Sequence, residues 1–244
     1  PVGSRYVGLY NMTPAMSVSI VDVEKREYID EISTAGCAFV YPVSGRRFMQ
    51  LCGDGTVQVI SLDRNGRESD RVRSRKFFDV EEDPVFDFAV PNGDAWILIS
   101  FEGLVYEVTV GDGDDIDISE PWSILTDEDV EAGWRNGGGD PMAFNAETGV
   151  LFTLMHQGGQ DTHEDDGTQV WAFDYATRNR GYEIELPAPM SSLGVSQDDA
   201  PLLYITGGFP NSIAVHDAVT GRHLRTIEEA GMFGGHVQTF SGGR

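Results

Sequence analysis

The segment LMHQGGQDTHEDDGTQVW, residues 154–171, sets His156, His163 and four carboxylates (Asp161, Glu164, Asp165 and Asp166) between two apolar runs. Imidazoles and carboxylates are both metal ligands and the working groups of acid–base catalysis. A metal requires such groups to converge, for instance two histidines on one face with a carboxylate. Here the histidines lie seven residues apart on what reads as a loop, a spacing with no ligand logic of its own. No metal site is assigned. His156–Gly159 closes one strand and Thr168–Trp171 opens the next, so residues 160–167 are expected to form an extended hairpin loop whose histidines hydrogen-bond locally.

Other candidate chemistry is weaker. The run GDGDDIDISEPW carries Asp112, Asp114, Asp115 and Asp117, but not in the order of a calcium loop, which needs a glutamate at its twelfth position. It reads as a solvated, charged turn. Neither a G-x-S-x-G elbow nor a dinucleotide-type G-x-G-x-x-G in a β–α setting occurs. GGFPNS (207–212) and GMFGGH (231–236) read as turn glycines. His216, His223 and His236 read as core or surface histidines, and Trp96, Trp122, Trp134 and Trp171 as blade and loop packing.

These residues must be positioned by elements of a soluble, strand-rich chain. Its 244 residues can bury a sizeable core, and no stretch nears the eighteen or so apolar residues of a membrane helix. No basic-then-apolar leader opens the chain, so any export signal is read as absent or removed. The 17 basic and 40 acidic residues give a net charge of −23. They are unevenly spread, with 11 basic and 9 acidic in residues 1–78 but only 6 basic and 31 acidic beyond. Such a surface disfavours nucleic acid and anionic membrane, both polyanions.

A repeat organises the whole sequence. SVSIVDVEKREYIDEI (17–32), TVQVISLDRNGRESDRV (56–72), TQVWAFDYATRNRGYEIEL (168–186) and SIAVHDAVTGRHLRTIEE (212–229) are each a β-run, a turn at Asp22, Asp63, Asp174 or Asp217, and a second β-run. Apolar runs ending in glycine or a turn residue precede them: RRFMQLCGDG, DAWILISFEG, VLFTLMHQGG and PLLYITGGFP. GCAFVYPVSG, VFDFAVPNG, PMAFNAETG and SSLGVSQDDA stand ahead of those. Four short antiparallel strands recurring about every forty residues mark a β-propeller blade. Four complete blades and most of a fifth, at the N-terminus, are expected within a single all-β domain over 1–244. The one helix expected is TDEDVEAGW (126–134), with Thr126 as N-cap and acids in its first turn. The tail GHVQTF (235–240) could be a ring-closing strand.

Cys37 and Cys52 fall on the first and second strands of one blade, either side of a turn near Ser44–Gly45. Opposed residues on adjacent strands come within disulfide range, but two buried thiols fit the same positions.

GCAFVYPVSGRRFMQLCGDG, KFFDVEEDPVF, PWSILTDEDVEAGWR, LMHQGGQDTHEDDGTQVWAFDYATRNR and VSQDDAPLLYITGG, taken in order, resemble the heavy subunit of methylamine and aromatic amine dehydrogenases. The resemblance implies a seven-bladed propeller without a cofactor of its own, in a periplasmic heterotetramer of two heavy and two light subunits. It implies that the light subunit carries tryptophan tryptophylquinone and the catalytic residues, oxidises a primary amine to aldehyde and ammonia, and passes electrons to a cupredoxin. It also implies a Cys37–Cys52 disulfide, which suits an oxidising compartment. The loop with His156, Gln157, Gly158, Gly159 and His163 becomes a structural or subunit-contact loop rather than a catalytic one. Seven blades need roughly 280 residues or more, so the chain matches about the C-terminal two thirds of such a subunit. The alternative reading is a stand-alone protein-binding propeller with no enzymatic role.

Overall fold

Short alternating runs punctuated by Asp and Gly fold as the pattern requires, into antiparallel sheets whose consecutive strands pair through tight turns. The computed structural model describes residues 1–244 apart from 114, 208–210, 232–235, 238 and 240–244. It divides into two compact units, Pro1–Ser100 with Tyr106–Glu120, and Phe101–Val105 with Pro121–Arg244.

In the first unit, β1 (Tyr6–Asn11), β2 (Ser17–Asp22) and β3 (Glu27–Ser33) make a three-stranded sheet in sequence order. A four-stranded sheet follows, of β4 (Cys37–Val43), β5 (Arg47–Cys52), β6 (Val57–Leu62) and β7 (Glu68–Arg73). The third sheet holds β8 (Val90–Asn92), β9 (Ala95–Ile99), β10 (Leu104–Val110) and β11 (Ile116–Ile118). The unit boundary passes through β10, whose Leu104 and Val105 pair in the second unit with β12 (Trp122–Ser123). The first strand of this blade is shorter than VFDFAVPNG suggests. Between Val85 and β8 the one bridge is Val85 to Ser100, and the Asp87 carbonyl accepts from the Tyr41 hydroxyl.

In the second unit, α1 (Asp127–Glu131) precedes β13 (Trp134–Asn136), β14 (Met142–Asn145), β15 (Val150–Gln157), β16 (Gly167–Asp174) and β17 (Asn179–Met190). β13 and β14 lie end to end along one edge of β15, β13 beside its last three residues and β14 beside its first four. The last sheet is β18 (Ser192–Val195), β19 (Leu202–Thr206), β20 (Ile213–Asp217) and β21 (His223–Ile227), in sequence order. The chain is therefore all-β, built of the antiparallel four-stranded blades from which propellers are made. The helix begins as expected: Thr126 and Asp129 form a reciprocal capping box, satisfying two otherwise orphaned N–H groups. No helix among the described residues is long and apolar enough to cross a membrane.

Middle strands are buried on both faces and the last strands of the blades are the wet ones. β15 and β16 bury nearly every residue, whereas β7 and β21 are exposed almost throughout. In the first unit Tyr6, Val18, Ile20, Phe48 and Ile60 share one core. In the second, Phe152, Leu154, Val170, Leu193 and Leu203 share another. Each such side chain withdrawn from water contributes about 1.5–3 kcal/mol.

The repeated aspartate has one structural job. In each of the four turns its Oδ1 accepts a backbone N–H two to four residues on, from Glu24 and Lys25, Asn65 and Arg67, Thr177, or Val219 and Thr220. A left-handed residue then closes the turn: Arg26, Gly66, Arg178 or Gly221, with φ of 59°, 79°, 62° and 72°. The ladder slips beside every one of them, between Ile20 and Val21, Ser61 and Leu62, Ala172 and Phe173, and Val215 and His216. This is one hairpin, an Asx turn with a bulge, used four times.

Candidate functional site

His156 is the penultimate residue of β15, opposite Arg135 on β13, and only 3% of its surface is exposed. Its Nε2 lies 2.9 Å from the Thr162 hydroxyl, and that hydroxyl donates its one proton to the Gly159 carbonyl at 2.8 Å. Nε2 must therefore be the donor to Thr162, which leaves Nδ1 as a bare lone pair. That atom is buried and has no hydrogen-bond partner. Two glycines clamp the ring. A Cβ on Gly137 would stand 2.5 Å from Cε1, and one on Gly158 would stand 2.3 Å from the Thr162 hydroxyl and 3.0 Å from Nε2. Burial lowers the His156 pKa; the Asp165 carboxylate opposes that shift and Arg135 adds to it.

Around this ring the loop after β15 is bonded along its length. Gly158 N–H donates to Gly133 O, Gly138 N–H to His163 O and Asp165 N–H to Thr162 O, at 3.0, 3.1 and 3.0 Å. The Gln157 amide reaches the Ala132 carbonyl at 2.8 Å. Arg135 donates to Gly158 O at 3.3 Å and to the Glu102 carboxylate at 2.6 Å. The His163 ring stacks on Phe101, with centroids 3.9 Å apart and planes 18° off parallel. The structure thus gathers all five expected residues, His156, Gln157, Gly158, Gly159 and His163, about one connection. It runs from 158 to 166 rather than 160 to 167, because Gly167 already belongs to β16. Asp161, Glu164 and Asp165 face solvent. Among the described residues no three His, Cys, Asp or Glu side chains converge as a metal would need.

Sequence reasoning missed Thr162, Gly137, Arg135, Glu102 and Phe101. Nothing in their local pattern marks them, and Glu102 and Arg135 meet across 33 residues of chain.

Elsewhere, Cys37 and Cys52 are register partners on β4 and β5 and form the disulfide, with both residues 1% exposed. The acidic turn after β10 is held by Arg47, which donates to the carbonyls of Gly111 and Gly113 at 2.9 and 2.7 Å. Asp112 lines an open cleft of about 370 Å³ there with Ser44, Gly45, Arg47, Ser61 and Gly113. Asp112, Asp115 and Asp117 are exposed, and Asp114 lies outside the described residues. So do Gly208 of GGFPNS, the central residues 232–235 of GMFGGH, and Gly235, Gln238 and Phe240 of GHVQTF. His216 sits on β20 and His223 opens β21. His236 lies 3.5 Å from Asp140. The tryptophans pack: Trp171 is 1% exposed with Trp134 5.2 Å away, Trp122 meets Phe173, and the Trp96 indole donates to Pro42 O.

A family model described as methylamine dehydrogenase heavy chain (MADH) matches residues 2–240. The chain belongs to this family. Curated relatives include the methylamine dehydrogenase heavy chain of Methylobacillus flagellatus, 25% identical over 93% of this chain and 57% of the relative. That of Paracoccus versutus is 24% identical over 91% of this chain and 52% of the relative. This member of the MADH heavy-chain family thus spans just over half the length of the relatives it matches. Among solved structures it is similar to Saccharomyces cerevisiae Sqt1, with a TM-score of 0.55 at 10% identity over 92% of this chain and 71% of that one. It is also similar to a Mycobacterium tuberculosis puromycin-hydrolyzing peptidase, with a TM-score of 0.61 at 16% identity over 94% of this chain and 36% of that one. At such identities the likeness concerns fold alone.

Proposed function

We propose that this chain is part of the heavy subunit of a periplasmic quinoprotein amine dehydrogenase, which oxidises a primary amine to aldehyde and ammonia. The observation that carries the reading is the family match over residues 2–240. In it the heavy subunit holds no cofactor. Tryptophan tryptophylquinone on the light subunit takes the electrons from the amine, and a cupredoxin accepts them. Two heavy and two light subunits assemble, and the heavy subunit shapes access to the site and keeps water from it.

The 158–166 connection is the proposed light-subunit contact, with His156, Gln157, Gly158, Gly159 and His163 in it. Its support is a bed of backbone hydrogen bonds that fixes its shape before any partner arrives, so little ordering entropy is lost on binding. The Cys37–Cys52 bond supports an oxidising compartment.

The test is co-expression of this chain with and without a light subunit, followed by amine-dependent dye reduction. A stable complex and activity only with both chains is expected. Amine oxidation by the purified single chain would overturn the reading, and a chain that never binds a light subunit would favour the stand-alone binding propeller.

A further inference from the structure

We propose that His156 is a proton-operated latch on the 158–166 loop, holding it closed while the ring is neutral and releasing it when Nδ1 takes a proton. The geometry on both sides of the ring carries this. The neutral Nε2–H ring bonds Thr162, and Thr162 in turn closes the loop onto Gly159. Nδ1 faces the Gly137 backbone and is buried with no hydrogen-bond partner. A Cβ at Gly137 would stand 2.7 Å from Nδ1 and 2.9 Å from the Asp165 carbonyl, so the ring and the loop backbone both crowd the same glycine. A proton on Nδ1 creates a buried, unpaired N–H and a charge together, which strongly disfavours the closed arrangement. The strain is relieved by moving the segment that carries Asp165, or by admitting water.

The charges facing the ring come from three elements. Arg135 on β13 opposes protonation, Asp165 on the loop favours it, and Glu102 pairs with Arg135 and blunts its effect. His163, on the same loop, is stacked on Phe101. The loop also bears Asp161, Glu164 and Asp165 at its surface, so its release rearranges an exposed acidic strip.

The test is amide hydrogen exchange of Gly138, Gly158 and Asp165, corrected for intrinsic rates, from about pH 8 down to about pH 5. The opening constant should be flat above the usual histidine range and rise by up to about tenfold per pH unit below it, the limit for one proton. Amides of Phe152 and Val170 in the neighbouring strands should keep their protection. His156→Gln keeps a nitrogen donor for Thr162 and does not titrate, so its slope should vanish. His163→Gln should retain the wild-type slope. A wild-type loop whose opening ignores pH, or an unchanged slope in His156→Gln, overturns the latch. Should His156→Gln not fold, ring nitrogen spectra of the wild type decide. An Nε2–H tautomer titrating with the loop's own midpoint supports the latch, and a midpoint apart from it overturns the proposal.

Discussion

Arg180 lays its guanidinium 3.8 Å above the Trp171 ring and donates to Asp129 at 2.5 Å, so one side chain joins the buried aromatic of β16 to the cap of α1. Asp129 is the residue that completes the capping box with Thr126. The five-residue helix is too short to persist alone and depends on this tether. Trp171 is itself oriented, its indole N–H donated to Gln169, whose amide donates to Glu185.

Arg180→Ala should therefore destabilise the protein by about 1–3 kcal/mol, through the lost cation–π contact and a partly buried charge left unpaired. Arg180→Lys should recover less than half of that, because an ammonium cannot stack flat and bond sideways together. A double-mutant cycle with Asp129→Ala, read by urea unfolding, should give a coupling of about 1 kcal/mol. Additive single effects would sever the tether from the cap.

The four equivalent turns make a second, internal comparison. Arg26 and Arg178 hold the left-handed position that glycine holds at 66 and 221. A side chain there is strained by about 1 kcal/mol. Arg178→Gly should be neutral to stabilising by about 0.5 kcal/mol, the strain relief being partly offset by a freer unfolded chain. Gly66→Ala should lose about 1–3 kcal/mol, because its Cβ would also stand 2.7 Å from the Tyr6 ring. Melting temperatures of the two variants should move in opposite directions or, for the arginine, not at all.

Acid should lower the stability of the protein in two stages. Asp22 is held below the usual carboxylate range chiefly by Arg5, and Asp63, Asp174 and Asp217 chiefly by the turn N–H groups of Arg67, Thr177 and Thr220. A depressed carboxylate contributes stability above its unfolded value, 3.8, that is lost as pH falls through the lower folded value. His156 and His216 are lowered chiefly by burial, from 6.5. There the unfolded chain binds the proton first, so stability is complete above 6.5 and falls with pH from that point to the lower folded values. Urea midpoints measured against pH should show a shallow fall beginning near 6.5 and a steeper one below about 4. Asp63→Asn should flatten only the lower limb.

The disulfide should stabilise the first unit by about 3 kcal/mol, as expected for a loop closed across 15 residues. Reduction, or replacement of both cysteines by alanine, should expose β4 and β5 amides to exchange. Those of β15 and β16 in the second unit should be little affected.

The amino-acid sequence by itself determined the blades, the turns and the helix start, because each is a short-range matter. Side chains alternate with period two along a strand, Asp22, Asp63, Asp174 and Asp217 bond backbone two to four residues on, and Thr126 reaches only to Asp129. The pairing of Cys37 with Cys52 was also within reach, since one hairpin sets its register. The surroundings of His156 were not. That the ring lies between Gly137 and Gly158, that Thr162 fixes its tautomer, and that Arg135 faces it and is paired with Glu102 follow from how β13 lies beside β15 and how the loop folds back. No local propensity encodes such contacts. They are chosen by packing, which admits a side chain only where the backbone from another stretch of chain leaves room for it.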